Sequence, residues 1–237
     1  MRKIIGIILN AIYPKTCPFC DKILEEGSEI CLPCASKLRY VEEPSCKKCG
    51  KQLMKEEQEY CYDCATAKHL YKRGVATFAY DEMVSKSIYK FKYHNRRTYA
   101  GMYGKAVAER HRKLIASWNA GVLIPVPIHT GKLQKRGYNQ AELIAVQLGK
   151  WLELPVDSKI LKRVRRTKAQ KELNKSERKK NLENAFKITS NVVKYNKVIL
   201  VDDIYTTGST IDECARVLME AGVKEIYFIS LSIGAGI

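Results

Sequence analysis

Two short apolar runs anchor the pattern along this chain: Val198–Val201, and Val122–Pro127 with the sequence Val-Leu-Ile-Pro-Val-Pro. An unbroken run of this length predicts a strand covered on both faces, as in a parallel sheet, rather than a half-wetted strand that alternates. Val75–Tyr80 predicts another strand. Between them lie segments of helical period. Met83–Tyr93 is one, Tyr99–Trp118 another with Met102, Val107, Leu114 and Ile115 on one side, and Ala141–Leu152 a third. Ile211, Cys214, Ala215, Leu218 and Met219 space a further amphipathic helix after Val198–Val201. Strands alternating with helices predict an α/β fold, a Rossmann-like parallel sheet with helices on its faces. At 237 residues the chain is long enough for that domain and a smaller second one.

The pattern fails in the first third, where cysteines replace it. Eight of the nine fall in four C-x-x-C pairs: Cys17/Cys20, Cys31/Cys34, Cys46/Cys49 and Cys61/Cys64. Each pair can put two sulfurs on one metal, and two pairs complete a closed tetrahedral thiolate site. Pro18, Pro33 and Gly50 supply turn chemistry within or beside these knuckles. The simplest expectation is a tandem double zinc ribbon, one zinc on the first four cysteines and one on the last four. An interleaved grouping and a single surviving zinc stay open. Such sites stabilise folding and say little about role. Before them, Arg2 and Lys3 precede the apolar run Ile4–Leu9, which is too short to span a bilayer and lacks a small-residue cleavage site. It predicts a short amphipathic helix packed on the fold, with weak contact to a membrane surface as the alternative, and a cytoplasmic protein. The expected organisation is therefore 1–14 helix, 15–71 cysteine-rich module and 72–237 α/β domain.

Chemistry concentrates behind the second apolar run. Asp202 and Asp203 stand at the strand's carboxyl end, where open α/β sheets place ligands. Thr206, Thr207, Gly208, Ser209 and Thr210 then lead into a helix, so unpaired backbone N–H groups and hydroxyls gather at its positive end, a setting suited to phosphate. Carboxylates facing sugar hydroxyls beside that loop describe a site for a phosphorylated ribose. After the other run, residues 128–140 bring Lys132, Lys135 and Arg136 together ahead of a helix, suited to a pyrophosphate; Pro127, Ile128 and His129 begin that loop. His129 reads more simply as a surface histidine, and Cys214 as a core residue.

Charge changes the picture again. The net charge is +17, and it is unevenly spread: residues 1–70 hold 11 Lys/Arg against 10 Asp/Glu, residues 71–237 hold 31 against 15. A field of this sign favours polyanions, nucleic acid above all. The densest stretch, Lys159–Lys180, has eleven Lys/Arg and two Glu, and predicts a mobile loop or solvated helix able to close over an anionic ligand as a lid. Its cations exceed what one small anion needs. Lys86, Lys90, Lys92, Arg96 and Arg97, interleaved with Tyr89, Phe91, Tyr93 and Tyr99, would suit single-stranded nucleic acid, but their near-helical spacing favours rings in the core and lysines in water.

Val198–Thr210 resembles the signature of the type I phosphoribosyltransferases. That resemblance implies that Asp202 and Asp203 hold the ribose of phosphoribosyl pyrophosphate (PRPP), that Thr206–Thr210 hold its 5′-phosphate, and that magnesium accompanies it. The whole chain is similar to the ComF/ComFC competence family. The similarity rests on the paired C-x-x-C motifs, on Arg136-Gly137-Tyr138-Asn139-Gln140, and on the PRPP signature. It also rests on the lid pattern Leu161, Arg163, Arg165, Thr167, Gln170, Leu173, Arg178, Asn181 and Phe186. This implies a DNA-uptake factor of natural transformation, with single-stranded DNA, a competence helicase and the inner face of the membrane as partners. Arg163, Arg165, Thr167, Gln170 and Arg178 become lid or DNA candidates. A nucleobase-salvage phosphoribosyltransferase and a non-catalytic DNA- and partner-binding protein with a relict site stand as alternatives.

Overall fold

The computed structural model describes residues 14–165, 181–192 and 194–234. Its centre is a four-stranded, all-parallel sheet of β1 (Arg73–Ala79), β2 (Leu123–Pro125), β5 (Lys197–Tyr205) and β6 (Glu225–Ile233), in the order β1-β6-β5-β2. The apolar run of β5 is explained by its neighbours. Val198 and Leu200 point into one core with Ile226 and Phe228, while Ile199 and Val201 point into the other with Tyr227 and Ile229. With water on neither side, no position in that run can be polar.

Three helices cover one face: α3 (Glu82–Tyr93), α4 (Tyr99–Ser117) and α6 (Gln140–Leu152). Asp81 caps α3 by accepting from the N–H of Val84 at 2.8 Å, and Asn139 caps α6 by accepting from Ala141. The opposite face carries α7 (Ser209–Glu220) and a small antiparallel pair, β3 (Leu161–Arg163) with β4 (Phe186–Ile188). The sequence predicts a loop or helix from Lys159 onward. Its first residues instead form β3, because Leu161 is buried beside Phe186 and Leu182. Residues 166–180 of the expected lid, with Thr167, Gln170 and Arg178, lie outside the described residues, as does the amino-terminal segment 1–13.

The cysteine module is joined to the sheet through its edge. Residues 39–41, between the two cysteine groups, run antiparallel to β1: the Val41 N–H donates to Thr77 O and the Ala79 N–H to Arg39 O, both at 3.0 Å. An open parallel edge is thereby closed. Short helical turns α1 (Leu32–Ala35) and α2 (Tyr62–Thr66) finish the two knuckles. Cys17, Phe19, Cys34 and Leu38 extend the core on the three-helix face, whereas Cys46, Cys49, Leu53 and Cys61 extend the core on the α7 face. The backbones meet closely at Gly50, whose missing Cβ would lie 3.0 Å from Val75 Cα. Among the described residues no helix is long and apolar enough to cross a membrane.

Candidate functional site

At the carboxyl ends of β2, β5 and β6 the sheet opens onto a cavity of about 620 Å³. Its floor is the acid pair. The Asp203 N–H donates to Asp202 Oδ1 at 2.8 Å, turning that carboxylate back along the strand end. Burial, with the charge of Asp203 beside it, pushes the Asp202 carboxyl up to about 7. Asp203 faces the Lys92 ammonium of α3 at 2.8 Å, with both side chains largely shielded from water. The pair thus divides its work: one carboxyl is held near neutrality, the other is balanced by a cation contributed from a distant part of the chain.

Across the cavity stand Pro127, Ile128, Lys132, Arg136 and Asn139. The sequence predicts residues 128–140 as a loop; the structure inserts the short helix α5 (Thr130–Arg136). His129 caps it, Nδ1 accepting from the Gly131 N–H, and does not line the cavity. Gly137, at φ 76°, ends it in the left-handed conformation. The rest of the Arg136–Gln140 motif follows from this turn. Arg136 donates to Gln140 Oε1 at 2.8 Å and to the Tyr93 hydroxyl at 2.9 Å. The Tyr138 hydroxyl donates to Phe91 O, and Asn139 donates to Val126 O at 3.0 Å. The motif therefore fixes one guanidinium at the cavity and ties the end of α5 to α3 and to Val126, the residue after β2.

The hydroxyl-rich turn between β5 and α7 forms the third wall. Thr206 and Thr210 line the cavity. Thr207 and Ser209 share a 3.0 Å hydrogen bond and line a separate hollow of about 610 Å³ behind the turn. Gly208 adopts φ 79°, and a Cβ there would come within 2.6 Å of the Tyr205 hydroxyl and 2.9 Å of His69 Cε1. The backing was not legible in sequence. Asp212, in the first turn of α7, receives the Leu70 N–H at 2.9 Å and lies 2.8 Å from His69 Nδ1. Tyr71 and Tyr205 share a 2.6 Å hydroxyl contact, and both rings pack on Phe228. Residues leaving the second cysteine group thus brace the turn from behind.

Arg163, from β3, also lines the cavity, and its guanidinium lies over the Phe186 ring. Arg165 is exposed and donates to Glu183 O. Tyr80, Tyr93, Ile204 and Gly234 complete the rim. The basic and aromatic stretch containing Lys92 and Tyr93 does not mark them as lining this cavity, and no local pattern marks Tyr80, because each reaches it through tertiary packing. Chemically, a dicarboxylate floor, a turn of hydroxyls and helix-end N–H groups, and a wall bearing Lys132 and Arg136 fit a ligand with a polyol centre and anionic groups at both ends.

The metal sites are separate. Cys17, Cys20, Cys31 and Cys34 form one group and Cys46, Cys49, Cys61 and Cys64 the other, with the sulfurs in each within 4.8 Å of one another. The sequential grouping expected from spacing is the one found. A tetrahedral zinc with bonds near 2.3 Å needs sulfurs about 3.8 Å apart, and Cys49 and Cys61 stand at 3.7 Å. The groups fit structural zinc.

Comparison with known proteins follows this division. Residues 8–65 match the double zinc ribbon domain and residues 133–232 the phosphoribosyl transferase domain. Competence protein F of Haemophilus influenzae is 35% identical over 83% of this chain and 87% of its own length. The chain belongs to the ComF family. DNA utilization protein YhgH of Escherichia coli K12 is 29% identical over 90% of the chain and 94% of that protein. Competence protein ComFC of Bacillus subtilis is 25% identical over 90% and 92%. The family covers both modules, so the zinc ribbons and the α/β domain of this ComF protein form one inherited unit.

Proposed function

We propose that this ComF protein is a DNA-uptake factor whose 620 Å³ cavity binds PRPP with magnesium, and whose basic surface takes single-stranded DNA. The observation that carries the reading is the convergence of Asp202 and Asp203, Thr206 and Thr210, and Lys132 and Arg136 on one cavity. In it, the acid pair receives the ribose hydroxyls, the turn Thr206–Thr210 the 5′-phosphate, and Lys132 with Arg136 the pyrophosphate. Asp202 and Asp203 are the residues that would hold magnesium, which would supply neutralisation of the negative charge on the pyrophosphate. Arg163 adds a cation at the edge. The relatives' names, competence protein F and DNA utilization protein, support the placing of this site in DNA uptake. A helicase of the uptake machinery and the inner face of the membrane follow as partners, in a cytoplasmic protein.

Calorimetry of the zinc-loaded protein with PRPP and magnesium tests the reading. Saturable binding that Asp202→Ala, Asp203→Ala abolishes is the expected result; absence of heat in the parent protein would sink it. A second reading, nucleobase salvage, draws on Tyr80 and Ile204 at the rim, which offer flat and apolar walls for a ring. It requires release of pyrophosphate from PRPP that depends on an added free base. No such release leaves the cavity a binding site in uptake.

A further inference from the structure

Helix α3 exposes rings that a helix on a solvated surface has no packing reason to expose. Its inward side buries Val84, Ile88 and Phe91. That side satisfies the amphipathic pattern by itself. On the outer side Tyr89 and Tyr93 remain 52% and 53% exposed, their centroids 4.8 Å apart, with His94 edge-on to Tyr89 at 5.6 Å. The expectation that the rings of this stretch are core therefore holds for two of the four. Phe91 and Tyr99 are buried; Tyr89 and Tyr93 form an outward pair.

A cation stands on one ring of this pair: the Arg136 guanidinium lies 4.6 Å from the Tyr93 centroid. Arg97, beside the pair, lies 4.7 Å from the centroid of the buried Tyr138. The hydrogen bonds described for both arginines go to neutral groups: Arg136 to Gln140 and Tyr93, Arg97 to Asn95 and the Gly137 carbonyl. Lys86, Lys90 and Arg96 are the contrast, since each faces a carboxylate of Glu82 or Asp21. The positive charge of the patch is thus concentrated where the rings are, and Tyr93 and Arg136 also line the cavity.

Exposed rings beside cations suit a single strand, whose bases stack and whose phosphates pair. A duplex keeps its bases away from such rings. We propose that the outer face of α3, from Tyr89 to Tyr93 with Arg97 and Arg136, is the path of single-stranded nucleic acid. We propose also that it ends on the cavity, so that strand and PRPP share Arg136 and oppose each other. The second half rests on the PRPP reading of the cavity; the first does not. Two anions drawing on one guanidinium weaken one another, and reciprocity makes both factors equal.

Fluorescence anisotropy of labelled oligothymidylate with the full zinc-loaded chain tests the path. Tyr89→Ala weakens oligothymidylate binding about tenfold, whereas Tyr89→Phe, which keeps the ring, binds as the parent does. Neither variant changes affinity for a duplex of equal charge. Equal oligothymidylate affinity in parent and Tyr89→Ala overturns the path, and so does equal loss for strand and duplex. The linkage is read by repeating the titration with PRPP and magnesium at matched ionic strength. Saturating PRPP weakens the strand about fivefold or more, and the strand weakens PRPP by the same factor. A strand affinity that PRPP leaves unchanged or raises overturns the shared contact. Lack of PRPP binding without any strand overturns the cavity reading and leaves the Tyr89 result standing.

Discussion

Asp202 is the residue at which fold and chemistry conflict. The carboxyl terminus of a buried parallel strand is a poor place for two adjacent anions, and burial beside Asp203 raises the Asp202 carboxyl to about 7. The unfolded chain ionises the same group near 3.9. Between those values the native state holds more protons than the unfolded state, so stability falls as pH rises through the window and levels off above it. Asp202→Asn removes the ionisable group. It is expected to leave the thermal midpoint nearly unchanged near pH 4, to raise it progressively as pH increases toward 7, and to hold that gain at higher pH. Differential scanning calorimetry across pH 4–8 reads this directly. A gain independent of pH would mean that Asp202 ionises normally. A carboxyl perturbed in this way, in a cleft, is the kind of local penalty found at functional sites. Lys92 supplies a positive charge to Asp203 at 2.8 Å.

At the scale of elements, what was legible in sequence was local. The run Val198–Val201 announces a strand buried on both faces because no polar residue interrupts it, and Asp202 through Thr210 follow it within one turn of chain. The cysteine pairs gather in the sequential order their spacing suggests. What was not legible depends on distant partners. The short helix α5 has no apolar period to reveal it, only a capping His129 and a stopping Gly137. Strand β3 is hidden in a basic run because its partner, Phe186–Ile188, lies more than twenty residues further along the sequence. His69, its side chain 3% exposed, meets Asp212 only because the exit from the second cysteine group passes behind α7. That brace has a measurable consequence. Asp212 holds both His69 and the Leu70 N–H, so Asp212→Asn loosens the turn Thr206–Thr210 without touching the cavity itself. Losing a charge-assisted contact of this kind costs roughly 1.5–3 kcal/mol. PRPP affinity is expected to fall about tenfold or more while zinc content stays at the parent value. An unchanged affinity would show that the turn needs no brace.

The whole molecule is arranged so that neither module is complete alone. The chain between the cysteine groups closes the β1 edge, and the two groups extend opposite cores. Zinc therefore secures both faces of the sheet, but not with the same effect on the cavity. Cys46, Cys49 and Cys61 share their core with Tyr71, Tyr205 and Ile211, the residues under the turn Thr206–Thr210. Cys17 and Cys34 share theirs with Val84, Phe91 and Tyr99, the residues under α3. Structural zinc sites contribute their binding free energy to folding, so losing either ion is strongly destabilising. The losses should nevertheless differ in kind. Cys61→Ser is expected to remove one zinc and to weaken PRPP more than it weakens oligothymidylate. Cys34→Ser is expected to remove the other and to reverse that order, because α3 rather than α7 loses its backing. Zinc per chain, measured colorimetrically on protein shown folded by circular dichroism, is compared with the two affinities. Equal losses in both variants would mean that the ribbons act only as common scaffolding. Opposite orders would mean that each ribbon supports the part of the surface whose core it shares.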